Sequence, residues 1–249
     1  MSPFLLGFVL SSAMVVLAYY KEALSSTGAI VAFILGTLIY GLLGFYAFFI
    51  LLSFFLLSFM IRFFHEQSTI KERNAIQVFA IGGLASLCAI LYGVYEAEIF
   101  KILFIGAIAA AAADALSSEI GQFSKNQPFS ILTLKPMDKG LSGAISPLGL
   151  LFGFLAALFY SVLSIFFVGS TFVALLILII AFFNSLFDSI LGLIQVKYRY
   201  PNEETLYDTK KDGMIIGSGI SWLNNHIVNG VSNLISLGLL VILYLLLIY

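Results

Sequence analysis

Long runs of apolar residues, separated by short polar connections, cover most of this chain. The first run extends over residues 3–20, and a much longer one over residues 28–61. A helix rises about 1.5 Å per residue, so about 20 apolar residues are enough to cross the hydrocarbon core of a bilayer. The second run is therefore too long for one ordinary membrane-spanning helix. The Gly41–Gly44 segment is the predicted break between two shorter helices.

Five further apolar runs predict five more spans. They lie at about residues 76–95, 101–118, 143–168, 171–195 and 227–248. The predicted fold is all-α: a polytopic membrane helical bundle of about eight spans, forming one membrane-embedded domain over residues 1–249. The composition agrees, because 61% of the residues are hydrophobic and only 10% are charged. A soluble domain has roughly 25% charged residues.

The basic residues fall on one side of this predicted topology. If the N-terminus is placed outside, the cytoplasmic connections contain eleven of the twelve Lys and Arg residues, and Lys101 is the exception. Cytoplasmic loops of membrane proteins are enriched in these residues. Both termini are therefore predicted to be extracytoplasmic. The two long connections, 119–142 and 196–226, are predicted to face the cytoplasm.

Two carboxylates lie near the ends of predicted spans. Asp114 lies near the end of the fifth span, and Asp188 lies in the seventh. Ionisable residues at membrane depth are costly and usually mark a functional site. Ser117 follows Asp114 by three residues and shares its helix face, whereas Glu119 lies about 140° around the helix. The alternative is that Asp114 pairs within the bundle and that Glu119 is merely solvated.

A basic, glycine-containing segment follows the first acid. Lys135 and Lys139 precede Gly140, Ser142 and Gly143, which are predicted to open the next span. Glycines let a backbone approach an anion closely, a helix N-terminus offers free N–H groups, and lysine adds positive charge. The segment therefore has the chemistry of a phosphate-binding loop without a Walker motif. A basic connector followed by a helix start has the same pattern, so this alternative stays open.

Amide side chains accompany the second acid and the last span. Gln195 follows Asp188 by seven residues, and Asn225 and Asn229 are four residues apart. Amides at membrane depth often act only as glue between helices, but they also orient ligands. Acidic groups from two helices, with amides and without a spaced histidine, suit Mg²⁺, which prefers oxygen ligands and accompanies phosphates.

The motifs resemble those of an integral-membrane family, the domain of unknown function numbered ninety-two. This family includes the human transmembrane protein nineteen and the plant phytyl-phosphate kinase. The resemblance covers nearly the whole chain, and its motifs fall in order. The four that establish it are residues 114–121, residues 139–146, residues 188–195 and the asparagine-rich entry to the last span.

The resemblance implies a membrane kinase that phosphorylates an isoprenoid (phytyl or polyprenyl) monophosphate. The distribution of basic residues predicts that its active site faces the cytoplasm. The acid–lysine–glycine arrangement is also similar to that of CTP-using polyprenol kinases and lipid cytidylyltransferases. CTP is therefore the expected nucleoside triphosphate, and Mg²⁺ the expected cofactor. The implied partners are the lipid phosphate, the nucleotide and membrane lipids, without nucleic acid. Homo-oligomers stay an open alternative.

The implied roles fall in two segments of the sequence, 111–149 and 184–229. Asp114 and Asp188 are the expected metal ligands, with Glu119 as a direct or water-mediated third, and Lys135 and Lys139 neutralise phosphate charge. The expected phosphate- or nucleotide-binding residues are Ser117, Gly140, Ser142, Gly143, Gln195, Asn225 and Asn229.

Two other functions stay open. A cytidylyltransferase, which joins CTP to a lipid phosphate and releases pyrophosphate, would use the same residues. A transporter would also fit intramembrane acids and a glycine-broken helix.

Overall fold

The fold is a bundle of long apolar helices. A computed structural model describes residues 2–63 and 72–248, apart from the side chains of residues 62, 63 and 248. In these residues, seven helices are long and apolar enough to cross a membrane. The predicted all-α membrane bundle is confirmed. The helices are α1 (Pro3–Tyr20), α2 (Ser26–Phe63), α3 (Ala75–Tyr95), α4 (Glu98–Gly121), α5 (Pro147–Val168), α6 (Thr171–Ile194) and α7 (Asn225–Ile248).

Helix α2 folds back on itself at Gly44, where φ is 79° and ψ is −167°. Gly36 and Phe48 are twelve residues apart, so a straight helix would separate them by about 18 Å. A Cβ atom on Gly36 would nevertheless stand 3.3 Å from Cε2 of Phe48, and the rings of Tyr40 and Phe48 are 5.7 Å apart. The segments before and after Gly44 therefore run antiparallel. The break predicted within Gly41–Gly44 is confirmed, and the described chain contains eight helical segments.

The connections with most of the basic residues lie at one end of the bundle. Ser25, after α1, donates its backbone N–H to the carbonyl of Arg73, before α3, at 3.1 Å. The guanidinium of Arg73 in turn reaches Glu119, in the last turn of α4, at 3.3 Å. Lys101 lies near the opposite end and pairs with Glu98 at 2.8 Å. Which compartment each end faces stays a prediction.

The predicted basic set also includes two residues that cannot be placed in this way. The side chain of Arg62 and the whole of Lys71 lie outside the described residues.

Two short antiparallel ribbons occur in the long connections, and neither was predicted. Strand β1 (Phe129–Ser130) pairs with β2 (Ala144–Ile145). Strand β3 (Lys197–Arg199) pairs with β4 (Ile215–Ser218). These ribbons give the two connections a defined shape at the end of the bundle.

Helix α5 begins at Pro147, four residues later than the predicted start at residue 143. The side chain of Ser146 accepts the backbone N–H of Gly149 at 3.1 Å and caps the helix. Proline at the first helical position suits this start, because its missing N–H would be unpaired there anyway. Residue 143 therefore precedes a strand, and the predicted phosphate segment is not itself a helix N-terminus.

Small residues bring α5 into contact with the helix that carries Asp114. A Cβ atom on Gly149 would stand 2.7 Å from the carbonyl oxygen of Ser117, and one on Gly153 would stand 3.2 Å from that of Ala113. Small residues allow such close approach between membrane helices. The position of Asp114 is therefore fixed by backbone-to-backbone packing between α4 and α5.

Buried amides connect α4 to α6 and α7. Asn184 donates to the carbonyl of Ala110 at 3.0 Å and accepts from the hydroxyl of Ser236 at 2.9 Å. Asn233 donates to the carbonyl of Ala107 at 3.3 Å. These hydrogen bonds join the three helices below the polar end of the bundle, as amides between membrane helices often do.

Candidate functional site

A polar cavity of about 390 Å³ lies where α4 and α6 end and α7 begins. The segment before α5 forms another of its walls. The cavity unites residues from both of the predicted segments, 111–149 and 184–229. The predicted residues in its walls are Asp114, Ser117, Lys139, Gly140, Ser142, Gly143, Asp188, Asn225 and Asn229.

Asp114 faces this cavity from the last third of α4. It is part-buried and close enough to Asp188 for their charges to repel each other. Its carboxylate makes no hydrogen bond or ion pair with any described residue. Two carboxylates that share a confined space repel each other, and a bound positive ion offsets this repulsion. The pair therefore has the electrostatic character of a cation-binding site.

Asp188 faces the same cavity from α6 and is held through one of its oxygens. Its Oδ2 accepts from the hydroxyl of Ser232 at 3.1 Å. With its amide oriented to satisfy its neighbours, Asn229 donates to the same oxygen at 3.1 Å and to the carbonyl of Asn225 at 2.7 Å. Within the described chain, Oδ1 of Asp188 accepts no hydrogen bond. Ser232 was not among the predicted site residues, although it follows Asn229 by three residues on the same helix face.

The Gly140–Gly143 segment, called the glycine segment below, rests on the end of α6, the helix that carries Asp188. Gly140 and Gly143 have φ angles of 80° and 90°, in the left-handed region that favours glycine. A Cβ atom on Gly143 would stand 2.9 Å from the backbone N of Leu193, and one on Gly192 would stand 2.8 Å from that of Gly143. Gly140 instead faces open space. Gly143 is thus needed for packing against α6, in addition to any role toward a ligand.

Asp208 closes over the glycine segment and was not predicted. The backbone N–H and the hydroxyl of Ser142 both donate to its Oδ2, at 2.7 and 2.6 Å. Its other oxygen is buried and has no hydrogen-bond partner in the described structure. Asp208 and Thr209 complete one wall of the cavity. Nothing in the local sequence marks Asp208, because its partner is 66 residues away.

Lys197 is a buried cation beneath this part of the site. Its ammonium donates to the carbonyls of Gly192 and Leu193 at 2.8 and 3.2 Å. It therefore satisfies backbone oxygens left free at the end of α6. Burial lowers the pKa of Lys197, and the negative charge of Asp208 opposes this shift. In the sequence, Lys197 was counted only among the topology-determining charges.

The two predicted phosphate lysines have different surroundings. Lys139 lines the cavity, and its ammonium donates to the carbonyl of Ser124 at 2.7 Å. Lys135 is exposed and is not among the cavity residues. It ends a tight loop in which Leu134 N bonds to Ser130 O at 2.8 Å and Ser130 N bonds to Lys135 O at 2.9 Å. Lys135 was predicted to neutralise phosphate charge beside Asp114, but it lies outside the cavity that Asp114 lines.

Glu119 also lies outside the cavity, contrary to the prediction. Its carboxylate accepts from the hydroxyl of Ser58 at 3.2 Å and from Arg73 at 3.3 Å. The Arg73 guanidinium also contacts Ser58 and lies 5.5 Å from the ring centre of Phe54. The 140° separation from Asp114 around α4 explains this placement.

The predicted three-acid metal site is therefore not formed. In the described parts of the chain, no group of three or more His, Cys, Asp or Glu residues is arranged to hold a metal ion. Asp114 and Asp188 share the cavity without Glu119.

Gln195 is the third predicted residue that the structure separates from the site. It is fully buried, with 0% exposure, and its side-chain nitrogen and oxygen have no hydrogen-bond partner among the described residues. Helix α6 ends at Ile194, and Gln195 is extended, with φ −66° and ψ 160°. Gln195 is therefore buried outside the cavity, although it follows Asp188 by seven residues.

The chain is similar to several membrane proteins. It is 27% identical over 244 residues to an uncharacterized membrane protein of Synechocystis, covering 92% of this chain and 87% of the relative. It is 26% identical over 255 aligned positions to Protein VTE6, chloroplastic, of Arabidopsis thaliana, covering 95% of this chain and 68% of that protein. An uncharacterized membrane protein of Methanocaldococcus jannaschii is 34% identical over 143 residues, which are 55% of this chain and 60% of that protein.

The match to the Methanocaldococcus protein thus spans less than two thirds of its length. No solved structure matches the chain. The family model described as integral membrane protein DUF92 matches residues 9–237. That match includes all seven helices at least in part, and the chain belongs to the integral membrane protein family DUF92.

Proposed function

We propose that this protein is an integral-membrane lipid-phosphate kinase. It transfers a phosphoryl group from a nucleoside triphosphate, with CTP as the expected donor, to an isoprenoid monophosphate. The observation that supports this function best is the cavity that joins Asp114 and Asp188 to the Gly140–Gly143 segment at one end of an apolar bundle. Phosphoryl transfer requires mainly positioning and neutralisation of charge, and residues suited to both tasks line this cavity.

Asp114 and Asp188 have the donor chemistry that Mg²⁺ requires. Asp114 has no protein partner in the described chain, and Oδ1 of Asp188 is not engaged. The described cavity residues include asparagines but no histidine or cysteine, and hard cations prefer such oxygen donors. Asp114 and Asp188 would hold the ion, whose positive charge would neutralise phosphate oxygens. Ser232 and Asn229 would orient the Asp188 carboxylate.

The glycine segment supplies the groups for the phosphates. Ser142 offers a backbone N–H and a hydroxyl that both point at one anionic oxygen, Oδ2 of Asp208. Lys139 lines the cavity beside them, and a positive charge near a transferring phosphoryl group stabilises its oxygens. Asn225 and Asn229 lie in the cavity wall at the start of α7 and would contact the nucleotide or the lipid phosphate.

The acceptor lies at the boundary between the apolar helices and the polar cavity. An oxygen of the lipid monophosphate attacks the γ-phosphorus, the bond from this phosphorus to the nucleoside diphosphate breaks, and a lipid diphosphate and CDP are formed. A phosphate oxygen is already a nucleophile, so a strong general base is not needed. The resemblance to a family that includes the plant phytyl-phosphate kinase supports an isoprenoid acceptor.

The test uses the purified protein in nanodiscs with phytyl monophosphate, Mg²⁺ and CTP labelled at either the α- or the γ-phosphorus. Transfer of the γ label alone into the lipid, with release of CDP, is the expected result. Transfer of the α label with release of pyrophosphate would instead establish a cytidylyltransferase. If neither label reaches the lipid, and ATP, GTP and UTP also fail as donors, the kinase proposal is refuted.

A further inference from the structure

The carboxylate of Asp208 is bound in the way that an anionic ligand would be bound. One of its oxygens accepts both the N–H and the hydroxyl of Ser142, at 2.7 and 2.6 Å. Ser142 lies between Gly140 and Gly143, whose left-handed backbone lets the segment present these donors. Backbone N–H groups in such turns form anion-binding concavities, and charge-assisted bonds to them are strong.

Asp208 reaches this position from a different part of the chain. It belongs to the long connection between α6 and α7, whereas Ser142 lies in the connection between α4 and α5. Residues 201–205 before it and 209–213 after it are exposed. Tyr207, directly before it, exchanges two backbone hydrogen bonds of 2.8 Å with Tyr198 of β3. Displacement of the carboxylate would therefore involve the Asp208 side chain and the exposed residues that follow it.

The binding of Asp208 is also incomplete. Its Oδ1 is buried and accepts no hydrogen bond from the described residues. Lys197 is near enough to interact with its charge, but the Lys197 ammonium donates to the backbone at the end of α6. A buried oxygen without a partner costs free energy. A ligand that satisfies more of its own oxygens can therefore compete with Asp208 for the Ser142 donors.

We propose that Asp208 is an internal substitute for phosphate: it occupies the anion position of the Gly140–Gly143 segment in the free protein and is displaced when a phosphate ligand binds. This inference rests on the proposed function for the identity of the ligand, a di- or triphosphate. It adds that binding must break the contact between Asp208 and Ser142. Ligand affinity is therefore lowered by the stability of that contact.

The test measures binding of inorganic pyrophosphate to the purified protein in detergent, by calorimetry in magnesium-containing buffer. Asp208→Ala removes the competing carboxylate and should lower the Kd for pyrophosphate about tenfold, since a charge-assisted hydrogen bond is no longer displaced. Asp208→Asn keeps the shape and removes the charge, and it should give a smaller gain in affinity. The control is Asp212→Ala, which makes the same charge change at an exposed position of the same connection.

A weaker or unchanged affinity in Asp208→Ala, with the thermal stability of the wild type, would overturn the inference. A lower affinity would show that Asp208 helps to build the ligand site, and an equal affinity that it does not compete. Absence of pyrophosphate binding in every variant would overturn it as well. An equal gain in affinity for pyrophosphate in Asp212→Ala would show that the effect comes from the general loss of a negative charge. It would refute the role of Asp208 as a substitute for phosphate.

The kinase proposal is tested separately. Tighter pyrophosphate binding in Asp208→Ala without transfer of the γ label to lipid would leave this inference standing and refute the kinase. Transfer of the γ label by the wild type, together with weaker pyrophosphate binding in Asp208→Ala, would support the kinase and refute this inference.

Discussion

The contact between α4 and α5 makes a strong prediction for Gly149→Ala. The new Cβ would stand 2.7 Å from the carbonyl oxygen of Ser117 and 3.2 Å from the Cα of Gly121. The first contact is about 0.8 Å shorter than the roughly 3.5 Å at which nonbonded contacts become favourable. Both opposing atoms belong to the backbone, so no side-chain rotation relieves the overlap. The helices must move apart.

The expected effects follow from that movement. Overpacking costs about 1–3 kcal/mol, and the better helix propensity of alanine returns about 1 kcal/mol. We therefore expect a net destabilisation of about 0–2 kcal/mol. Asp114 lies three residues before Ser117 on the same face of α4 and must shift with it. A misplacement of about 1 Å can reduce turnover about 100-fold. We expect Asp114 to shift by less than this, and turnover to fall roughly tenfold.

Gly238→Ala is the matched control, because a Cβ atom added at this position of α7 would have no atom within 4 Å. It should keep wild-type turnover and equal or slightly raised stability. Thermal unfolding in detergent and phosphorylation of phytyl monophosphate would be measured on both variants together. If Gly149→Ala is as stable and as active as Gly238→Ala, the close contact does not position Asp114, and the reasoning fails.

Three further predictions concern charged residues. Asp188→Asn should abolish Mg²⁺-dependent turnover with little change in thermal stability, because it removes ligand charge at constant shape; undiminished turnover would remove Asp188 from the reaction. Lys139→Ala should raise the Michaelis constant for CTP and slow transfer, whereas Lys125→Ala, outside the cavity, should leave the kinetics unchanged; equal effects would make the segment a simple basic connector. Glu119→Gln should lower stability by about 1.5–3 kcal/mol, because it weakens a charged interaction with Arg73. It should not change the Mg²⁺ concentration for half-maximal activity, and such a change at unaltered stability would return Glu119 to the metal site.

The helices could be predicted from the sequence because their cause is local. A membrane span requires a run of apolar residues of fixed minimum length, and such runs are visible directly. The break at Gly44 lies within the predicted Gly41–Gly44 segment, which was chosen because the second run is too long for one span and its two nearby glycines favour an interruption. The start of α5 could not be predicted, because residues 144–145 pair with β1, which lies about 15 residues earlier. Short strands of this kind are fixed by their partners rather than by their own residues.

The same distinction applies to the site. Asp114 and Ser117 were placed together correctly because helical spacing relates them, and the same geometry turned Glu119 toward Arg73. Gln195 was misplaced because helical spacing gives the face on which a residue lies but does not give where along the helix the cavity ends. Asp208 could not be found, since only the packing of two distant connections brings it to Ser142.

The order of synthesis also bears on the cavity, because its closing wall comes from the last helix of the described chain. A ribosome makes the chain from its N-terminus, so α4 and α6 are inserted before α7 exists. Until then the Asp188 carboxylate lacks the donors of Asn229 and Ser232, and Asn184 lacks Ser236. A nascent chain that stops before residue 225 has both acids but no closed cavity. Completion of α7 is therefore the step that supplies the last wall of the cavity and the donors that hold the Asp188 carboxylate.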